Sequence, residues 1–398
     1  MKFGRNWGRL GMKSEWTIKK ISEIAEINPR ESIKKGIVAK KIPMDVLQPF
    51  TRDVPSFQYE VFKGGTKFRN KDTIMARITP CLENGKIAQI GCLDPGEVGF
   101  GSTEYIVFRA REGTDPDFLY YLIRSPLVRE PSIKSMVGSS GRQRVQTNVV
   151  ADLQIAVPGI VEQKCIGDLL KVLDDKIQLN TKINKNLEAQ AMALINDYCA
   201  SAIEKIALGK LMSFDNGYAF QSKTYLSSGK YRIITIKNVL DGKIDSQGAA
   251  NINEIPTRMK SNCFLSKGDV LLSLTGNVGR VGIVYEDNLL LNQRVAKICP
   301  FNNALLPWLY YYFRLPSTKV SLETIAKGTA QQNLSPVETL KLQIPFEMAS
   351  ANNLSQVLLT MFNMEISNFI ESQQLSKLRD VLLPKLMSGE LDVSGIDL

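Results

Sequence analysis

The two halves of the chain repeat the same order of segments, and this repetition constrains the fold more than any other feature. "DTIMARIT" at Asp72 matches "DVLLSLT" at Asp269. "GSTEYIVFRA" from Gly101 then matches "LNQRVAKICP" from Leu291, and both are alternating segments that predict strands. A repeat of this length predicts a duplicated domain rather than a solenoid of short units.

The repetition continues into a helix and a polar loop. "FLYYLIRSP" from Phe118 and "WLYYYFRLP" from Trp308 predict aromatic helices that end at proline. "GSSGRQRVQTNVVADLQIAVP" from Gly138 and "KGTAQQNLSPVETLKLQIPF" from Lys327 follow in the same order. Because mainly the polar residues of these loops differ, the two copies are predicted to present different side chains from one scaffold.

A long helix is predicted after the first copy. Neither glycine nor proline occurs between Gly167 and Tyr198, and apolar residues recur every three to four positions, as in a coiled-coil seam. These residues are Ile166, Leu170, Leu173, Ile177, Leu187, Ala191 and Leu194. Asn180 and Asn184 occupy seam positions, where asparagine is expected to fix the register and the partner.

A second helix follows the second copy, and Asn352 or Asn353 is predicted to cap it. Its apolar face includes Leu354, Leu358, Met361, Leu375 and Leu382. Two such helices can pair antiparallel and relate the domains by an approximate two-fold axis, as in dimeric DNA-binding proteins. Simple packing of each helix on its own domain is the alternative. The predicted boundaries are a first domain at 1–157, a central helix at 158–200, a second domain at 201–345 and a distal helix at 346–398.

Composition is that of a soluble protein with two domains. The 398 residues are 44% hydrophobic and 23% charged, and no apolar run is long enough to cross a membrane. The N-terminus is basic but has no apolar segment of the secretory type. Six cysteines without a C-x-x-C pair argue against a zinc ribbon or a disulfide framework and indicate a reducing cytoplasm.

Several kinds of catalysis are excluded or unsupported. The chain has no histidine, which removes Ser-His and Cys-His nucleophiles and histidine metal sites. It has neither a P-loop nor the glycine-rich loop and N-P-P-Y-like tetrapeptide of an adenine methyltransferase, for which "NPR" at Asn28 is the nearest match. Asp174, Asp175 and Lys176 resemble part of a nuclease signature, but they fall within the predicted helix. We therefore expect a chain that is not itself an enzyme.

The net charge of +10 favours a polyanionic partner such as nucleic acid. Arginine can bond guanine bidentately, and glutamine or asparagine can do so with adenine. The base-contact candidates are Arg142, Gln143 and Arg144 in the first loop, and Gln331, Gln332 and Asn333 in the second. Solvated polar loops without a ligand are the alternative interpretation.

Other basic residues are better candidates for DNA phosphates, because charge without a defined geometry positions the protein but does not specify a base. They are Lys67, Arg69, Lys71, Arg77, Lys86 and Lys134 in the first copy, and Lys267, Arg280, Arg294 and Lys327 in the second. Gln293 and Arg294 are expected at the start of a strand. Asn84-Gly85-Lys86 is also interpretable as a simple hairpin turn.

With these features, the whole chain resembles the specificity subunits of type I restriction–modification systems. "VPGIVEQKCIGDLL" after the first copy and "LRDVLLPKLMSGELDV" near the C-terminus are similar to the helical regions of that family. The G…Q-x-[VL]…L-x-I-x-[VI]-P ending of each half is similar to the end of its target-recognition domains. "PFEMASANN" replaces "PGIVEQ" in the second copy, which is a departure from the pattern.

The resemblance implies two tandem α/β (α+β) target-recognition domains, each binding one half of a split, asymmetric sequence in double-stranded DNA. The helices would form an antiparallel, pseudo-two-fold spacer that docks two methyltransferase subunits, with two restriction subunits added for cleavage. S-adenosylmethionine, ATP and magnesium would belong to those partners, and this chain would hold no cofactor. A divergent methyltransferase or nuclease, and a coiled-coil adaptor that binds only protein, are the alternatives.

Overall fold

Alternating segments of both halves form small sheets, and each half builds a separate unit. The computed structural model describes residues 16–139, 141–326 and 333–393. Unit 1 comprises Met1–Leu179 with Ser372–Leu398, and unit 2 comprises Asn180–Glu371. Both long helices contribute one part to each unit.

Unit 1 contains ten strands and four short helices within its described residues. The strands are β1 Thr17–Lys20, β2 Ala25–Ile27, β3 Val38–Ile42, β4 Gln58–Val61, β5 Thr66–Phe68, β6 Thr73–Ala76, β7 Ile87–Gln89, β8 Gly99–Gly101, β9 Tyr105–Ala110 and β10 Gln154–Val157. The helices are α1 Ile21–Ile24, α2 Pro116–Arg124, α3 Pro126–Lys134 and α4 Thr147–Ala151. A long helix, α5 Ile160–Ser201, then runs into unit 2.

Unit 2 repeats this order. Its strands are β11 Lys205–Ala207, β12 Met212–Asn216, β13 Tyr231–Ile234, β14 Gly242–Lys243, β15 Ala250–Ile252, β16 Phe264–Leu265, β17 Val270–Ser273, β18 Val281–Ile283, β19 Leu289–Leu291, β20 Val295–Pro300 and β21 Gln343–Pro345. Its helices are α6 Leu306–Arg314, α7 Pro316–Ala326 and α8 Pro336–Leu340, followed by the long helix α9 Met348–Met387.

The sheets of the two units have the same strand order, except that unit 2 adds the strand β14 beside β18. Unit 1 orders its strands β2-β9-β6-β7 and β4-β3-β8-β5, and unit 2 orders its strands β12-β20-β17-β18-β14 and β15-β13-β19-β16. The second sheet of each unit contains one parallel pair, β3 with β8 and β13 with β19. A further antiparallel pair joins the ends of each copy, β1 with β10 and β11 with β21. The prediction of a duplicated, mixed α/β fold is confirmed.

The aromatic helices α2 and α6 lie in the cores of their units. Asp115 caps α2 by accepting from the backbone N–H groups of Asp117 and Phe118, and Pro116 starts the helix. Every residue from Phe118 to Ile123 is fully buried. A helix that is apolar on all sides must be covered on all sides, and here a sheet and the long helices cover it.

The long helices pair antiparallel within each unit. In unit 1, Ile166 and Leu170 of α5 share a core with Leu383 and Leu386 of α9. In unit 2, Asn184 of α5 donates to the backbone carbonyl of Glu365, 2.9 Å away. Tyr198 lies farther along α5 and donates to the carbonyl of Glu347, before α9 begins, at 3.0 Å. Residue numbers therefore rise along α5 while those of the contacted residues of the second helix fall, so the two helices are antiparallel.

Some predicted boundaries were wrong. The helix α9 begins at Met348, so Asn352 and Asn353 lie inside it and cap nothing. The prolines after the aromatic helices do not only end them, because Pro126 and Pro316 are the first residues of α3 and α7, a favoured proline position. Lys134, a candidate for a DNA phosphate, is the last residue of α3.

Candidate nucleic-acid interface

The polar loop of unit 1 is fixed beside the loop that follows β6. The backbone N–H of Val145 donates to the carbonyl of Arg77 at 2.8 Å, and the N–H of Thr79 donates to the carbonyl of Gln143 at 3.0 Å. The backbones of Val137 and Arg144 exchange two hydrogen bonds, at 3.1 and 2.9 Å. These bonds give the loop a strand-like conformation, so its backbone is held by that of the neighbouring segments.

Arg144 forms an ion pair with Glu104 at this edge. Its Nε lies 3.0 Å from both carboxylate oxygens, and its Nη2 lies 2.6 Å from Oε1. Arg77 approaches the same carboxylate, with its Nε 3.9 Å from Oε2. The hydrogen bond from Arg144 lowers the pKa of Glu104 below its ordinary value, with smaller contributions from the charges of Arg144 and Arg77. The Arg144 side chain is 47% exposed, so it remains accessible to a ligand.

A cavity of about 480 Å³ in unit 1 is lined by Arg77 and by Thr103 and Tyr105, the chain neighbours of Glu104. Arg30, Lys67 and Arg77 contribute three cationic side chains to its wall, together with one carboxylate from Glu31. The Lys67 ammonium lies 5.4 Å from the centre of the Phe62 ring. The net positive charge suits a phosphate group.

Unit 2 has the same edge with other side chains. Asn333 forms an isolated β-bridge with Thr275, as Arg144 does with Ile78. The N–H of Leu274 donates to the carbonyl of Arg294 at 3.1 Å, as that of Arg77 does to Glu104. By these bonds Asn333 takes the place of Arg144, Arg294 that of Glu104, and Leu274 that of Arg77.

Unit 2 also has a cavity, of about 570 Å³, but its chemistry differs. It lies between the segment after β12 and the segment after β15, which correspond by topology to the segments after β2 and β4 that line the unit 1 cavity. Its wall includes Tyr218, Phe220, Gln221 and Asn253. The rings of Tyr218 and Phe220 are edge-on, with centres 5.1 Å apart. Unit 2 thus offers aromatic and amide groups where unit 1 offers cations.

The two seam asparagines lie between α5 and α9 in unit 2. Asn180 is buried and donates from Nδ2 to the carbonyl of Asn368 at 3.3 Å and to Glu371 Oε2 at 2.7 Å. Asn184 accepts at Oδ1 from Asn368 Nδ2 at 2.8 Å. The cross-helix bonds suit the predicted role in register, which stays a prediction.

The other candidates are placed less uniformly. Arg69 pairs with Glu31, Lys71 with Asp117 and Lys267 with Asp287, so acids already balance their charges. Lys86 donates to the carbonyl of Met44 at 2.8 Å. Arg142, Lys134 and Arg294 are exposed, and Gln143 and Arg280 are partly exposed. Lys327, Gln331 and Gln332 lie outside the described residues. The strand β20 begins at Val295, one residue after Arg294, so Gln293 and Arg294 precede it.

The carboxylates that resemble a nuclease signature are engaged in the scaffold. Asp174 accepts from Tyr121 at 2.7 Å and is paired with Arg379. Asp175 pairs with Arg52 at 2.6 Å and with Lys171 at 2.5 Å. In the described part of the chain, no three His, Cys, Asp or Glu side chains form a group that could hold a metal ion.

No described helix is long and apolar enough to span a membrane.

The model of one protein family matches most of the chain in two pieces. This family, the type I restriction modification DNA specificity domain, matches residues 13–189 and 201–350. The chain belongs to this family. Each match corresponds to one copy of the duplicated fold, so the sequence repeat is a repeat of specificity domains.

Relatives of this specificity-domain protein extend over most of its length. The type I restriction enzyme MjaIX specificity subunit of Methanocaldococcus jannaschii is 22% identical over 419 residues, covering 96% of this chain and 95% of the relative. The EcoAI specificity subunit of Escherichia coli is 25% identical, covering 76% and 70%. A type I restriction–modification S subunit structure from M. genitalium superposes with a TM-score of 0.57 at 16% identity, covering 95% and 98%, which supports the fold.

Several residues at the specificity-domain edges were missed in the sequence. Glu104 lies outside the basic and amide-rich loops from which the sequence predicts DNA contacts. Arg30 belongs to "NPR", which resembles only a fragment of a methyltransferase motif and gives no sign of a DNA contact. Tyr218 and Phe220 stand in "NGYAF", directly after a strand, where a Gly-aromatic segment could have indicated a surface pocket.

Proposed function

We propose that this chain is the DNA-recognition subunit of a type I restriction–modification complex and that each unit binds one half of a split target. The observation that carries the proposal is the pair of equivalent edges with different side chains. Arg144, Glu104 and Arg77 in unit 1 stand where Asn333, Arg294 and Leu274 stand in unit 2. A duplicated scaffold with different polar edges suits a target whose halves differ.

The proposal assigns catalysis to partner subunits. Methyltransferase subunits would supply S-adenosylmethionine chemistry, and restriction subunits would supply ATP- and magnesium-dependent steps. The unit 1 parts of the long helices offer an apolar surface for such partners. Val172 of α5 is 57% exposed and Val381 of α9 is 59% exposed, with Leu179 and Leu378 also exposed. Val172 and Leu179 are two helical turns apart on α5, and Leu378 and Val381 are one turn apart on α9, so each pair lies on one face of its helix and supports a protein contact there.

The first test is single-molecule sequencing of methylated adenines in a host that expresses this chain with its methyltransferase subunit. We expect methylation at a split motif with two different halves. A continuous or symmetric motif would contradict the two-unit proposal. Val381→Asp should lower methylation at every site by weakening subunit docking, whereas Lys41→Ala, which removes a pair with Glu60 on β3 and β4 of unit 1, should not.

A second test concerns the helices as a spacer. Insertion of four residues after Ile183 adds about 6 Å of helix. We expect the unspecified gap of the motif to lengthen by about one or two base pairs (about 3.4 Å per base pair) while both halves keep their sequences. An unchanged gap would contradict the spacer role.

A methyltransferase or nuclease active site in this chain is the competing proposal. Purified chain without partners, incubated with labelled S-adenosylmethionine and DNA, separates the two. We expect no transfer of label, and transfer would favour the competing proposal. An adaptor that binds only protein would instead show no salt-dependent affinity for DNA.

A further inference from the structure

The ion pair between Arg144 and Glu104 leaves a defined edge of the guanidinium available. Arg144 directs Nε–H and one N–H of Nη2 to the carboxylate. The guanidinium is planar, so the remaining Nη2 proton and the two Nη1 protons point away from Glu104. Two parallel N–H groups on this edge match the O6 and N7 acceptors of guanine.

Both residues of the pair stand on fixed backbone. Arg144 is joined to Val137 by two backbone hydrogen bonds, and the carbonyl of Glu104 accepts from the N–H of Arg77 at 2.9 Å. The N–H of Glu104 donates to Ser102 Oγ at 3.1 Å. An arginine that is already oriented loses less side-chain entropy when it binds a base.

An acidic residue at a DNA-binding edge would ordinarily repel the phosphates. Here one carboxylate lies between two guanidinium groups, those of Arg77 and Arg144, so the cluster keeps a net positive charge. The cations Arg30 and Lys67 line the adjoining cavity. Glu104 can therefore orient Arg144 without making the edge repulsive.

We propose that Glu104 is a positioning residue that fixes Arg144 for a bidentate contact with one guanine in the half of the target that unit 1 binds. This inference rests on the proposed function. The equivalent positions in unit 2 hold Arg294 and Asn333, so a guanine contact of this design belongs to unit 1 alone among the described residues.

The experiment compares the methylated motif of the natural chain with those of Glu104→Gln and Arg144→Lys, each expressed with the methyltransferase subunit. The natural motif should contain a guanine that both variants relax, at the same position. In competition binding by the purified complex, preference for that guanine should fall about tenfold, the scale of a lost bidentate contact. Glu60→Gln, which removes a comparable exposed ion pair with Lys41 at 2.7 Å, is the matched control and should change nothing.

The outcomes separate this inference from the proposed function. If the natural chain methylates a split motif and both variants still require the same guanine, the inference is overturned and the proposed function stands. Equal weakening on all sequences also overturns it, because a purely structural pair would act in that way. Absence of any split motif from the natural chain overturns the proposed function itself. Arg144→Lys keeps its charge and leaves Glu104 in place, so it tests the position even if Glu104→Gln does not fold.

Discussion

The two units anchor their aromatic helices through an equivalent tyrosine and an equivalent arginine. They differ in how the charge of the buried carboxylate is compensated. In unit 1, Tyr121 donates to Asp174 of α5 at 2.7 Å, and Arg124 pairs with Asp380 of α9 at 2.8 Å. Arg379 of α9 also pairs with Asp174. Both members of that pair are about 95% buried, so the negative charge of Asp174 is matched inside the core.

In unit 2 the helices exchange roles. Tyr311 donates to Glu365 of α9 at 2.6 Å, and Arg314 pairs with Glu188 of α5 at 2.6 Å. Glu365 is buried, and it has Glu188 as a charged neighbour in addition to Arg314. Burial, with a contribution from Glu188, raises the pKa of Glu365 to about 7.

The comparison shows which features the duplication retained. The tyrosine and arginine of α2 and α6 keep their partners on the long helices, because these contacts hold each unit to α5 and α9. The charged residue near the buried carboxylate has diverged, since Asp174 has Arg379 whereas Glu365 has Glu188. The polar edges that contain Arg144 and Asn333 have diverged as well. Electrostatic balance within the helix pair is therefore a property of each unit separately.

The largest effect is expected from removal of the cation in unit 1. Arg379→Ala leaves Asp174 buried without its partner and should lower the free energy of unfolding by about 3–5 kcal/mol. Urea unfolding of the full chain measures this loss. Lys385→Ala, which removes an exposed pair with Glu390, is the control and should stay within about 0.5 kcal/mol. A loss below about 1 kcal/mol for Arg379→Ala would show that Asp174 needs no cation.

The second prediction concerns Glu365→Gln, which removes the charge of the buried carboxylate in unit 2. Because the pKa of Glu365 is raised in the folded state, its favourable contribution is complete below the ordinary glutamate pKa and is lost as pH rises towards about 7. Glu365→Gln should therefore be more stable than the natural chain at pH 8, by roughly 2–3 kcal/mol, and should lose this advantage at pH 5. Urea midpoints from pH 5 to 8 provide the measurement. Parallel pH profiles would contradict it.

The third prediction concerns the edge of unit 2. Asn333→Ala should relax one base position in the half that unit 2 binds, with about a tenfold loss of preference. The half bound by unit 1 should keep its sequence. Sequencing of methylated sites reports both halves in one experiment, and a change in both would mean that the edges are not independent.

The smallest effect is expected from a phosphate candidate. Lys67→Ala should weaken binding to all sequences by a similar factor and reduce the slope of log affinity against log salt by about 1. Binding of the purified methyltransferase complex at several salt concentrations measures the slope. Lys41→Ala is the control, since Lys41 pairs with Glu60. If Lys67→Ala instead changed the preference for one base, Lys67 would be a base contact and not a phosphate contact.

Repetition in the sequence was sufficient to predict the architecture. The predicted strand segments, the aromatic segments and the long seams correspond to β6, β9, α2 and α5 and to their copies, because these patterns are local. The strands β9 and β20 are nevertheless buried over most of their length and not on one face only. The cap of α9 was predicted wrongly, because Asn352 and Asn353 lie inside the helix. The helix begins at Met348. Directly before it, the hydroxyl of Tyr198 donates a hydrogen bond to the carbonyl of Glu347 and accepts one from its backbone N–H, and Ala351 is buried against the core. These are contacts with residues about 150 positions away.

The sequence by itself determined the duplication, the two long helices and the loops in which Arg144 and Asn333 stand. Tertiary structure alone decided that Glu104, 40 residues before Arg144, orients that arginine. It also decided that Arg379 balances Asp174 across 205 residues, whereas Glu365 faces Glu188. Periodicity records which side of a helix or strand is buried, but it carries no information about which distant charge will lie opposite. That depends on how the elements pack, and a low-dielectric interior then makes each such pairing energetically large.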